Sequence, residues 1–244
     1  MAEKSFPTIT LDGPAGAGKS TMARYLADAL DGFAYLDTGA LYRTIALALA
    51  QSGFTINDIN TCRAAVIDTA CNARMRAKFV KQPGGGFTQN MYLGGAAVED
   101  ADLRSPEIAQ MASACSVDPV IRNLVTCGCR LANESQALVV DGRDAGTAIF
   151  PEAVLKFYLY APVHDRTMRR MFQDAGRGLK RSYDETLNEI TTRDQRDSTR
   201  EHDPLRFPPD AIWIDTGMFL PETERRFLLD MALARLNPET ARII

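Results

Sequence analysis

The sequence predicts a parallel α/β fold, and three observations carry that expectation. Short β-branched or apolar segments recur along the chain. Each is separated from the next by a helical or long polar stretch. The first of them runs directly into a glycine-rich turn that opens a helix. The segments are Thr8–Asp12, Phe33–Asp37, Ala137–Asp141, Val154–Ala161 and Ala211–Asp215, which makes five candidate parallel strands. Their apolar character suits a sheet covered on both faces.

Taken in order, Thr8-Ile9-Thr10-Leu11-Asp12 is the first strand, and a helical pattern follows from Lys19 to about Leu30. Phe33 to Asp37 is the second strand, with a helix from about Leu41. Between about Asn60 and Arg104 the rhythm changes. From Ala73 to Lys81 apolar and basic residues alternate, with Met75, Ala77 and Phe79 on one face and Arg74, Arg76 and Lys78 on the other. Pro83-Gly84-Gly85-Gly86 is a turn, after which Phe87, Gln89, Met91 and Leu93 resume the period of two. This predicts a β-hairpin with one wet face, inserted as a small subdomain at 61–104 into a core made of 1–60 and 105–244.

The chain has 244 residues, enough to bury a sizeable core without covalent staples. Lys plus Arg is 28 and Asp plus Glu 31, a net charge of −3, so nothing global points to nucleic acid or to a membrane surface. No apolar run approaches the ~20 residues of a membrane span. The five cysteines (Cys62, Cys71, Cys115, Cys127 and Cys129) are odd in number and irregularly spaced. No secretory signal precedes the first strand, so reduced thiols and a cytoplasmic location are expected. Cys127-x-Cys129 has only His164 and His202 to complete a ligand set, and a zinc site is not expected.

The strongest motif is Gly13-Pro14-Ala15-Gly16-Ala17-Gly18-Lys19-Ser20, which fits G-x-x-x-x-G-K-[ST] in full and lies between a strand and a helix. Glycines let the backbone wrap a phosphate, so that amide groups and the helix dipole face the anion. Lys19 can reach the β- and γ-phosphates, and the Ser20 hydroxyl can join a Mg²⁺ shell. An NTP with Mg²⁺ is therefore expected. No Asn-Lys-x-Asp, no Asp-x-x-Gly after a strand and no ABC-type signature is found, which disfavours a GTPase switch or a transporter ATPase.

A second anion site is expected beside the first. Asp37-Thr38-Gly39-Ala40-Leu41-Tyr42-Arg43 and Asp141-Gly142-Arg143-Asp144-Ala145-Gly146-Thr147 each follow a strand, where a parallel sheet presents its ligand face. Thr38 offers a hydroxyl, and Arg43 and Arg143 offer planar forks matched to phosphate. Asp141 ends an apolar run like a Walker B strand and is a candidate Mg²⁺ ligand with Ser20. A nucleoside monophosphate is largely a dianion at pH 7 and needs no general base, so positioning and charge neutralisation suffice. Between Arg166 and Arg181 stand Arg166, Arg169, Arg170, Arg177, Lys180 and Arg181, with Asp174 the one acid. Like charges at helical spacing repel until an anion arrives, which predicts a lid at about 164–192. Arg193, Asp197 and Arg200 share a helical face, read either as a solvated ion-pair row or as a sugar-binding face.

Asp12 to Thr21 (DGPAGAGKST), Asp37 to Arg43 (DTGALYR), Leu103 to Ile108 (LRSPEI), Gly142 to Thr147 (GRDAGT), Arg193 to Arg200 (RDQRDSTR) and Pro204-Leu205 together resemble the bacterial cytidylate kinase family, over about Thr8 to Leu236. The resemblance implies a three-layer α/β fold like that of P-loop nucleoside monophosphate kinases, with a five-stranded parallel sheet, an inserted acceptor-binding subdomain and a lid. It implies transfer of the ATP γ-phosphoryl to CMP or dCMP using ATP and Mg²⁺. A monomer acting on these small molecules is expected, with neither nucleic acid nor membrane as partner. Gly13, Pro14, Ala15, Gly16, Ala17, Gly18, Lys19, Ser20 and Thr21 would bind ATP. Thr38, Arg43 and Arg143 resemble acceptor-phosphate contacts, and Tyr42, Arg193 and Asp197 sugar contacts. Ser113, Arg122, Asp144 and Arg200 resemble the base-reading set, and Arg169 and Arg170 the basic pair of the lid. With Lys19 and Arg143, that pair would carry catalysis. The chain departs from the family at Cys129-Arg130, where Gln-Arg is usual, at Ala145, where a larger apolar residue is usual, and around Ala73 to Gly86. The competing expectations are another P-loop kinase of nucleoside monophosphates or small metabolites, and a nucleotide-dependent switch or ATPase.

Overall fold

The computed structural model describes residues 6–176, 178–217 and 221–237. Arg177, one of the basic residues named above, lies outside them. The elements in order are β1 (Thr8–Asp12), α1 (Lys19–Ala29), β2 (Phe33–Asp37), α2 (Thr38–Gln51), α3 (Asp58–Thr61), α4 (Arg63–Asn72), β3 (Arg76–Lys81), β4 (Phe87–Leu93), β5 (Ala96–Val98), α5 (Asp100–Leu103), α6 (Pro106–Cys115), α7 (Pro119–Asn133), β6 (Ala137–Asp141), a π-helical turn (Ala145–Ile149), β7 (Leu155–Tyr160), α8 (Val163–Ala175), α9 (Tyr183–Thr199), β8 (Ile212–Asp215) and α10 (Pro221–Leu236). The main sheet has five strands in the order β2-β6-β1-β7-β8, and a second sheet has the order β3-β4-β5. The described residues fall into two compact units, one of Phe6 and Leu30–Leu138, the other of Pro7–Ala29 and the residues from Val139 on.

In the second of these units β1 is buried along its whole length. It pairs in parallel with β7, Ile9 opposite Leu155, and β7 pairs in parallel with β8, Phe157 opposite Ile212. Ile9, Leu11, Val139, Val140, Phe157 and Leu159 are buried, each worth roughly 1.5–3 kcal/mol relative to exposure for side chains of this size. Helix α1 packs on α10, with Met22 and Leu26 of the one and Leu228 and Ala232 of the other buried. Helix α8 packs on α9.

In the other unit α2 is the central helix and touches α4, α6, α7 and β4. Its Leu41, Ile45 and Leu49 are buried, as are Ile108, Met111, Ile121 and Val125 of α6 and α7. The segment expected to be a hairpin is a three-stranded antiparallel sheet, because a further short strand, β5, adds to β4 with Met91 opposite Val98. Met75, Ala77 and Phe79 are half-buried while Arg74, Arg76 and Lys78 are exposed, so one face is wet as the alternation predicts. Helix α2 begins at Thr38, three residues before the sequence expectation. Asp37 is the reason: its carboxylate caps the helix by accepting from the Ala40 amide at 3.2 Å, which overrides the weak helix propensity of Gly39. All five thiols are free, with Cys115 and Cys129 buried, and burial pushes the Cys115 thiol up to about 12.

Candidate active site

The phosphate-loop motif lies where β1 ends and α1 begins. Gly13 has φ +141°, and a Cβ there would overlap the Leu159 carbonyl oxygen, so only glycine fits. Ala15 and Ala17 are buried, Gly16 and Thr21 exposed. Lys19 is buried, and its Nζ donates to the Pro14 carbonyl within the loop at 2.7 Å. Burial, then the neighbouring Arg143 charge, brings Lys19 down to about 7, while Asp141 works the other way. The Ser20 hydroxyl donates to the Asp141 carboxylate. These two hard oxygens stand side by side at the loop, a donor set that suits Mg²⁺, which takes one or two protein oxygens and completes its shell with phosphate and water.

The turn after β6 carries the second group. Arg143 Nε donates to Asp197 of α9 at 3.1 Å, and Arg143 Nη1 to the Gly142 carbonyl at 3.1 Å. Asp144 is 4% exposed and accepts from Arg200 Nη2 at 2.9 Å. Arg200, the capping residue that follows α9, also donates to the Asp203 carbonyl. Asp197 lies 3.9 Å from Arg193 and 3.7 Å from Arg200. The predicted residues Arg143, Asp144, Arg193, Asp197 and Arg200 thus form one connected charge network. Asp197 is 4% exposed and Arg200 9%, so that end of the helical face is not a solvated ion-pair row, while the Arg193 side chain at the other end is 43% exposed. Burial works against the Arg143 charge, but Asp197, Asp141 and Asp194 hold it more firmly than usual.

The basic segment of α8 is partnered by protein groups. Arg166 is buried and donates to the carbonyls of Ala161 and Ala15 and to Asp194 at 2.5 Å, so it braces the loop and does not wait unpaired for an anion as its spacing predicts. Arg169 donates to the hydroxyl and carbonyl of Thr216, and Thr216 in turn donates to the Ala17 carbonyl. Arg170 lies 3.4 Å from Asp174 and 3.6 Å from Glu189, and Arg181 pairs with Glu189. Besides Asp174 within α8, the acids that quiet this segment are Glu189 and Asp194 of α9, which is why the local charge count overstates its repulsion.

In the other unit Arg43 donates to Asp37 at 2.6 Å, and its Nε is buried without a hydrogen-bond partner. Although burial opposes the charged form, Arg43 holds the Asp37 carboxyl below its usual range. Thr38 and Arg122 are buried, Tyr42 and Ser113 half-buried. Arg122 donates to the Ser116 carbonyl at 3.1 Å.

Two carboxylates at this site carry no role in the sequence reading. Asp194 accepts from the Ala15 amide at 2.8 Å and pairs with Arg166, tying α9 to the phosphate loop. Asp12 is fully buried, and burial raises it to about 7. Its one signal in the sequence is an acid that ends an apolar strand immediately before the loop glycine.

Comparison with known proteins adds the following. The family pattern described as "Cytidylate kinase" matches residues 9–222. The chain is 38% identical over 208 residues to the cytidylate kinase of Syntrophotalea carbinolica, covering 85% of this chain and 84% of that one. It is 37% identical over 215 residues to the cytidylate kinase of Geobacter sulfurreducens, covering 88% of each. It is 37% identical over 227 residues to that of Thermosipho africanus, covering 93% and 95%.

Proposed function

The chain belongs to the cytidylate kinase family, and from that premise we propose that it transfers the γ-phosphoryl group of ATP to CMP or dCMP, giving ADP and CDP or dCDP. The observation that carries the proposal is the network that joins half-buried Arg143 to buried Asp144, Asp197 and Arg200 in the same compact unit as the phosphate loop. A buried set of this kind costs desolvation that a surface ion pair does not, and a ligand recognised by both signs of charge accounts for it.

In this reading residues 13–21 hold ATP, with Lys19 on the β- and γ-phosphates. Ser20 and Asp141 hold Mg²⁺, which supplies charge neutralisation on the phosphate oxygens when bound. Thr38, Arg43 and Arg143 bind the acceptor phosphate, and the unpartnered buried Nε of Arg43 supports its part. Tyr42, Arg193 and Asp197 take the sugar. Asp144 accepts from cytosine N4, while Arg200 and Arg122 donate to N3 or O2, with Ser113 completing the set. Uracil would turn an acceptor towards the carboxylate, and each mispaired buried polar group costs ~1–3 kcal/mol. Arg169 and Arg170 neutralise the transferring phosphoryl, in a lid at about 164–192, and the subdomain at 61–104 serves the acceptor. The enzyme works as a cytoplasmic monomer.

Turnover with CMP, dCMP, UMP, AMP and shikimate tests the reading. CMP and dCMP are expected to be the best acceptors. AMP or UMP as the clearly preferred acceptor would overturn it, and slow ATP hydrolysis that no acceptor stimulates would favour a nucleotide switch.

A further inference from the structure

We propose that Asp12 is a positioning residue for the acceptor: it holds the turn bearing Arg143 and Asp144 in register with the phosphate loop. The inference rests on the functional reading above only in taking those two residues as acceptor contacts.

Asp12 is the last residue of β1, and the next residue, Gly13, is the first of the loop. Its two carboxylate oxygens are divided between two backbone amides, Oδ1 accepting from Ala145 at 2.8 Å and Oδ2 from Gly146 at 2.7 Å. Those amides open the π-helical turn Ala145–Ile149, which follows Asp144 directly. The first amides of any helical turn have no acceptor inside it and need one from outside. Asp144 stands at the cap position, yet its side chain makes no cap bond and accepts from Arg200 instead. Asp12 thus does the capping that Asp144 would otherwise do, and Asp144 keeps its carboxylate for the network.

The carboxylate has no room to shift. A Cβ on Gly142 would come within 3.2 Å of Asp12 Oδ1 and 2.9 Å of the Ala145 Cβ. A Cβ on Gly146 would come within 2.7 Å of Thr10 Oγ1 and 3.2 Å of Asp12 Oδ2. The small side chain of Ala145 belongs to the same tight fit. With no solvent exposure and both oxygens occupied, Asp12 does not touch a substrate. It joins one end of the chemistry to the other: the loop that fixes the donor phosphates springs from its carboxyl side, and the turn that fixes the acceptor hangs on its side chain. π-helical turns are rare and mark functional sites often enough to make the bond worth breaking on purpose.

The test is steady-state kinetics of Asp12→Ala and the isosteric Asp12→Asn, with ATP and with whichever monophosphate the parent enzyme prefers. Asp12→Ala is expected to lower kcat/KM for the acceptor by about 10²-fold, the scale of a small misplacement of reacting groups, while the ATP KM stays within about twofold. Asp12→Asn keeps one accepting oxygen and is expected to fall between Asp12→Ala and the parent. The ratio of cytosine to uracil acceptors should fall with it, because Asp144 moves. Gly146→Ala perturbs the same spot from the other side, its Cβ meeting Thr10 Oγ1 at 2.7 Å and Asp12 Oδ2 at 3.2 Å, and the same split is expected; thermal unfolding of each variant establishes that it is folded before its kinetics are read. A rise in the ATP KM with the acceptor KM unchanged would overturn the inference, and so would a loss of thermal stability with both unchanged. If the parent prefers an acceptor other than CMP, the functional reading falls while the split still decides the role of Asp12.

Discussion

Lys19 shows what a single residue adds once its surroundings are known. That it would face phosphate was legible from the motif alone, because spacing and context fix it. That it donates to Pro14 and sits near neutrality in the resting loop was not legible, because both depend on depth of burial and on Arg143. A lysine lowered in this way binds fewer protons folded than unfolded between about 7 and 10.5, so its contribution to stability grows as pH rises through that window. A polyphosphate beside it reverses the preference. ATP binding at about pH 8 is therefore expected to take up close to one proton per site, and at about pH 6 almost none. Calorimetry in two buffers of different ionisation enthalpy reads this directly, and an absence of uptake at the higher pH would mean that the resting loop already holds a charged lysine.

Helices and strands were readable to the extent that their own residues specify them. All five strands of the main sheet fall within a residue or so of the expected segments, because buried parallel strands are written as short apolar runs. β5 went unforeseen: Ala96–Val98 is too short to display a period. The π-helical turn went unforeseen because its start is held by Asp12, far away in sequence. Helix α9 shows the opposite case, a boundary stated locally. Ser182 accepts from the Glu185 amide and Glu185 accepts from the Ser182 amide, a reciprocal cap at the helix start. Ser182→Ala is expected to cost about 1 kcal/mol of stability, measured by denaturant unfolding, with kcat within about twofold. A larger loss of activity than of stability would mean that the exposed start of α9 takes part in turnover.

At the scale of the whole molecule, the strand segments could be found in the text but their order could not, since nothing in a run of valines names its neighbour. The order also scatters the candidate residues: Thr38, Tyr42, Arg43, Ser113 and Arg122 belong to one compact unit and the remainder to the other. Because a ligand that binds only the folded protein stabilises it, CMP alone at about 100 times its Kd should add about 2.7 kcal/mol, or roughly 5–10 °C in Tm. Thermal unfolding with CMP and with UMP checks this, and equal shifts would contradict base reading in the absence of ATP. Strand β1 has a consequence of another kind. It lies between β6 and β7, both encoded more than a hundred residues downstream. During synthesis this strand, buried along its whole length in the folded protein, must emerge from the ribosome long before either neighbour exists. The nascent chain therefore travels with its nucleotide loop unbuilt and an apolar edge exposed, a burden that falls on chaperones until Tyr160 has cleared the exit tunnel.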